Sequence, residues 1–150
     1  MQYFRLFLLL AALMIVSVGC GSQFFNVSGK VTLSDGTPLT VGKVFFISGI
    51  TQAEGTLDQS GTYSLSLQKG KSGIPAGSYQ VLVTGAFFTP RKLVTDDEMD
   101  TGTRTMISYI YSETETTPLN CTVPNENGYD FVVEPSKFYN AEKGIQRSSR

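Results

Sequence analysis

Asp58-Gln59-Ser60-Gly61-Thr62-Tyr63-Ser64-Leu65-Ser66-Leu67 decides the fold class of this chain, because it spells a tight reversal and then a strand. An acidic residue at the start and a glycine at the end of Asp58–Gly61 suit the backbone angles of a turn. After it, Tyr63, Leu65 and Leu67 alternate with Ser64, Ser66 and Gln68, a period of two rather than the helical 3.6. The same rhythm continues on both sides. Upstream, Val27, Gly29, Val31 and Leu33 share one face of a strand that Ser34-Asp35-Gly36-Thr37-Pro38 ends. A second strand over residues 42–48 puts Val44 and Phe46 on one face and Phe45 and Ile47 on the other, so both of its sides are expected to be covered. A short third strand follows at 54–57.

Downstream of the Tyr63 strand, Ile74-Pro75-Ala76-Gly77 leads into the alternating Tyr79, Val81 and Val83. Leu119, Cys121 and Val123 form one further stripe and Tyr129, Phe131 and Val133 another, with Asn127-Gly128 between them as the turn of a hairpin. Seven strands at this spacing predict an all-β fold, a two-layer antiparallel β-sandwich. Its core is expected to hold Val31, Val44, Phe46, Tyr63, Leu65, Tyr79, Val81, Phe131 and Val133. Residues 85–118 break the rhythm, and the segment is longer than the ~12 to 15 residues that structureless connections rarely exceed. Met106 to Tyr111 is a candidate edge strand within it, and the insertion as a whole is expected to be separable from the fold. Residues 135–150 are polar and aperiodic and are expected to form a flexible tail.

The first twenty residues read as an address. Met1 to Arg5 carries one positive charge, Leu6 to Val18 is almost wholly apolar, and Gly19 stands before Cys20. That apolar run is thirteen residues long, whereas a spanning helix needs roughly 20. Residues 1–19 are therefore expected to be a cleaved signal peptide. Val16-Ser17-Val18-Gly19-Cys20 resembles the lipobox of bacterial lipoproteins, although Ser17 stands where that motif prefers Leu. The resemblance implies lipidation at Cys20, a short N-terminal linker at 20–25, and a membrane partner held through the lipid anchor. Gly21, where an Asp would favour inner-membrane retention, implies the outer membrane of the bacterial cell envelope.

The strand spellings resemble a second family. Asp58-Gln59-Ser60-Gly61-Thr62-Tyr63-Ser64-Leu65, Pro75-Ala76-Gly77-Ser78-Tyr79-Gln80-Val81-Leu82-Val83 and Val27-Ser28-Gly29-Lys30-Val31, followed by Gly36-Thr37-Pro38-Leu39, are similar to the signatures of carboxypeptidase regulatory-like domains. Over residues 26–134 the resemblance implies a transthyretin-like, seven-stranded Greek-key sandwich and a non-catalytic accessory or surface role.

Chemistry is scarce by comparison. The chain has no histidine, which excludes Ser-His and Cys-His nucleophile pairs and any imidazole base or metal ligand. No catalytic residue, metal site or cofactor is assigned. Residues 20–150 carry 11 Lys and Arg against 13 Asp and Glu, a balance that gives no electrostatic reason to expect nucleic acid. Cys121 lies between Leu119 and Val123 and reads as a buried, inert thiol. Asp96, Asp97, Glu98 and Asp100 do not fit a calcium loop, because Thr101 and Ile107 occupy the positions of its glycine and closing Glu. Phe87, Phe88, Tyr109 and Tyr111 in the insertion are the candidate ligand or partner contacts. They form either a platform for an envelope protein or a polysaccharide, or a set of rings that folds the loop down onto the sandwich.

Overall fold

The computed structural model describes residues 23–67, 72–89 and 102–139. The expected signal peptide, Cys20, the acidic cluster at 96–100 and the chain beyond 139 lie outside the described residues. The strands are β1 (Phe24–Phe25), β2 (Ser28–Leu33), β3 (Lys43–Ser48), β4 (Thr51–Thr56), β5 (Thr62–Ser64), β6 (Ser66–Leu67), β7 (Ile74–Pro75), β8 (Gly77–Thr84), β9 (Phe87–Phe88), β10 (Arg104–Thr105), β11 (Asn120–Val123) and β12 (Phe131–Val133). The fold is all-β and sandwich-like. One sheet has the order β11-β8-β3-β4-β6 and the other β12-β2-β5, with two small ladders, β1-β7 and β10-β9, beside them.

Phe46 on β3 joins the two sheets. It is fully buried, and its ring centroid lies 5.9 Å from that of Tyr79 on β8, 6.3 Å from Tyr63 on β5, 6.2 Å from Tyr129 and 6.0 Å from Phe131 on β12. Tilted and edge-on aromatic packing of this kind adds to the burial of such rings, ~1.5–3 kcal/mol for a phenylalanine. The expected core residues are buried except Phe131, which is half-buried at the margin of the cluster. The opposite face of β3 is less covered than its sequence implies: Phe45 and Ile47 remain half-buried.

Three sequence expectations change. The run 62–67 is one strand by period but two in space, because Tyr63 pairs with Gly29 in one sheet while Leu67 pairs with Ala53 in the other. Leu65 lies buried at the crossing, where its amide donates to the Val27 carbonyl at 2.9 Å. The stripes at 119–123 and 129–133 do not form a hairpin. Cys121 lies opposite Tyr79 and Phe131 opposite Val31, so each stripe extends a different sheet. Their connection satisfies its polar groups internally, with the Asn125 amide donating to the Tyr129 hydroxyl at 2.9 Å and the Asn125 side chain to the Gly128 carbonyl at 3.0 Å. The sheets are also not purely antiparallel, since β12 runs parallel to β2.

Residues 106–119 complete the core instead of standing apart from it. Met106, Ile107 and Tyr111 are buried among the core residues, and Tyr109–Ser112 forms a turn of 3-10 helix, not an edge strand. Its continuation covers the edge of β8 beyond the end of β11. Thr117 donates its hydroxyl to the Val81 carbonyl at 2.7 Å, and the Val81 amide donates to the Leu119 carbonyl at 2.9 Å. An open strand edge is a site of unwanted pairing, and here hydroxyl groups close part of it. The packing also continues past residue 134: Ile107 bridges to Pro135, and the Ser136 amide donates to the Met106 carbonyl at 2.8 Å.

These connections give the molecule two distinct ends. At one end β1 pairs its Phe24 and Phe25 with Pro75 and Ile74 just before β8, and the tip of the β3–β4 hairpin at Gly49 and Ile50 reaches the level of the start of β8. The other end gathers the termini of β2 and β8 with segments 104–112 and 134–139.

Candidate functional site

At the end away from β1, segments 105–109 and 134–138 enclose a groove of about 470 Å³. Its floor includes Ile107 and Pro135, and its rims carry Tyr109 and Phe138, which are 71% and 56% exposed. The groove is held by backbone and hydroxyl bonds. The Ser108 amide donates to the Glu134 carbonyl at 3.1 Å, and the Ser136 hydroxyl donates to the Thr105 carbonyl at 2.5 Å. Below it, the Glu134 amide donates to the Tyr111 hydroxyl at 3.0 Å. The Arg104 guanidinium stands 4.7 Å from the Phe138 ring centroid, a cation-π arrangement that fixes one rim. Glu134 and Lys137, both exposed, and Arg104 bring charge of both signs beside the exposed rings of Tyr109 and Phe138.

The four candidate contact aromatics are not brought together. Tyr109 lines the groove and Phe87 is 53% exposed on β9, but Tyr111 is buried and acts as a structural acceptor. Phe88 packs edge-on against Tyr139 at 5.2 Å. Tyr111 and Phe88 thus follow the second of the two sequence alternatives, rings that fold their segment onto the sandwich. Phe138 and Arg104 were not legible as site residues. Aperiodicity marked the 135–150 region as a tail, although the adjacent pair Phe138-Tyr139 in a polar stretch was the available signal.

A second concavity, of about 480 Å³, lies beside β11 and is lined by Ile47, Ser48, Ser78, Gln80, Asn120 and Cys121 among others. Cys121 is half-buried there, not fully buried as its stripe implied, and burial pushes its thiol up to about 11. A thiol with that pKa is protonated at neutral pH and is a poor nucleophile. Burial likewise pushes the Tyr63 and Tyr79 phenols up. Each donates to a backbone carbonyl, Tyr63 to Tyr129 at 2.7 Å and Tyr79 to Pro75 at 2.9 Å. Among the described residues, no three His, Cys, Asp or Glu side chains are grouped so as to hold a metal ion.

No family model matches the chain, and neither a curated protein nor a solved structure matches it.

Proposed function

We propose that this protein is a lipid-anchored, non-catalytic β-sandwich domain of the bacterial cell envelope that works by contact, with the Tyr109–Phe138 groove as its recognition surface. The sandwich in this reading is of the Greek-key, transthyretin-like kind to which the turn and strand spellings of carboxypeptidase regulatory-like domains are similar. The observation that carries the contact role is the groove itself: two exposed aromatic rims, a cation over one of them, and walls joined by hydrogen bonds. Exposed aromatic and arginine side chains are the residue types enriched where proteins bind partners. The anchor rests on the leader and Cys20, and the lack of histidine supports a role without catalysis.

A protein partner is favoured over a polysaccharide because the rims combine aromatic area with Arg104, Lys137 and Glu134. A pull-down of the acylated protein from its own envelope tests the proposal. One partner should be recovered with the unmodified chain and lost with Tyr109→Ala and Phe138→Ala, while the β spectrum is unchanged. Saturable retention on a glycan array, lost in the same variants, would transfer the groove to a polysaccharide. Partner recovery unaffected by either variant would overturn the assignment of the groove.

A further inference from the structure

We propose that the end of the domain opposite the groove docks on the lipid surface, with Phe24 and Ile50 seated in the headgroup layer. The proposal rests on lipidation of Cys20. Four residue steps separate Cys20 from Phe24, and even a fully extended chain covers only ~14 Å over that length. The chain is then fixed to the body: Phe24 and Phe25 pair with β7, Phe25 packs against the core, and Val27 is buried. The polar region between hydrocarbon and water is itself some ~5–8 Å deep on each side of a bilayer. A lipid-bearing Cys20 therefore holds this end of the domain at the membrane and leaves little room for free tumbling.

The side chains at that end fit such a contact. Phe24 is 44% exposed, and Ile50 at the tip of the β3–β4 hairpin is fully exposed. Strand register puts the two at one end. Ile47 lies opposite Gln80, which brings the hairpin tip level with Gly77 at the start of β8, and Pro75, the partner of Phe24, stands two residues before Gly77. Ser48, Thr51, Ser78 and Thr122 around the tip are uncharged, so seating the hairpin tip takes no charge of these residues out of water. Nothing in the hairpin needs an isoleucine at its tip for packing, and a lipid surface gives that side chain a place to be buried.

The test uses the acylated chain in vesicles of phosphatidylethanolamine and phosphatidylglycerol that contain a brominated phospholipid, with a fluorophore introduced at residue 51 or residue 109 through an unnatural amino acid. Mass spectrometry of the same preparation reads the acyl group on Cys20. A parallel arm couples Cys20 of a Cys121→Ser chain, beginning at residue 20, to a maleimide phospholipid, which supplies the tether whether or not acylation occurs naturally. In both arms the fluorophore at 51 should be quenched about twofold or more, since groups seated ~5–10 Å into the headgroup boundary lie within reach of the acyl chains, and that at 109 should not be quenched. Phe24→Ser with Ile50→Ser, or twelve Gly and Ser residues inserted after Gly21, should reduce quenching at 51 without releasing the protein. Missing acyl mass with quenching preserved in the coupled arm would refute the lipidation reading and leave the docking face standing. Equal quenching at 51 and 109 in the coupled arm, no quenching at 51, or contact of residue 51 with a second copy of the chain in place of lipid would overturn the docking face.

Discussion

The two ends of this molecule are built by different means. At the β1 end the backbone does most of the work: a two-residue ladder fixes the entering chain, with one tyrosine hydroxyl on its Pro75 carbonyl, and a tight hairpin turn leaves Ile50 exposed to solvent. At the groove end the ladder is equally short, and several side-chain hydroxyls join it. Thr117 serves Val81, Ser136 serves Thr105, and Tyr111 accepts from Glu134. The first kind of end tolerates change at its tip. The second depends on particular side chains, and its shape is correspondingly more specific, as a recognition surface requires.

The largest effect should come from the frame that holds the two ends apart. Phe46→Ala removes the ring that touches both sheets and should cost ~3–5 kcal/mol in denaturant unfolding, as large core truncations do. Gly29→Ala comes next. A Cβ there would lie 2.1 Å from the Tyr129 carbonyl oxygen, and the forced shift should cost ~1–3 kcal/mol. Thr117→Val removes the hydroxyl that covers β8 and should cost about 1 kcal/mol, with faster hydrogen exchange confined to β8 and residues 109–119. An equal loss from a Thr51→Val change at the hairpin would erase the contrast between the ends.

Asp58 sharpens the comparison through pH. Its carboxylate accepts from the Ser60 hydroxyl at 2.7 Å and from the Thr62 and Ser60 amides at 2.8 Å each, and these bonds, the Ser60 hydroxyl first, hold its pKa below the ordinary 3.8. A lowered folded-state pKa stabilises the fold above the unfolded value, and that contribution is lost as pH falls through the folded value. Asp58→Asn should therefore lower stability at neutral pH and flatten the acid limb below about pH 4, with the pH slope near neutrality unchanged. Smallest of all, Tyr109→Ala should change stability by no more than about 0.5 kcal/mol, as exposed substitutions do, yet it should remove partner recovery.

The regular half was legible because its alternation is carried by large apolar residues. β2, β3 and β8 lie within a residue or two of their expected positions. β4 was seen only at its end, because its buried positions are Ala53 and Gly55, which carry almost no hydrophobic signal. The reason they must be small lies in space and not in sequence: a Cβ on Gly55 would stand 2.6 Å from the Ser64 carbonyl oxygen. At the groove end, Met106 and Ile107 are adjacent and both buried, and no alternation on either side of them marks an element. Ser136 is a buried polar residue satisfied by partners 31 and 3 positions away, so nothing local marks it. Of the candidate contact residues, only Tyr109 reached the groove. Its counterpart Phe138 depends on the return of the chain past Pro135, which no local period encodes.

The proposed orientation presents the groove outward from a domain held at the membrane. Benzophenone crosslinking in intact cells, from residue 109 and from residue 50 of the full chain, tests it most directly. The account predicts a discrete protein adduct from 109 that is lost when Phe138 is changed to Ala, and lipid adducts without that protein from 50. The same protein adduct from both positions, or from 50 alone, would contradict it.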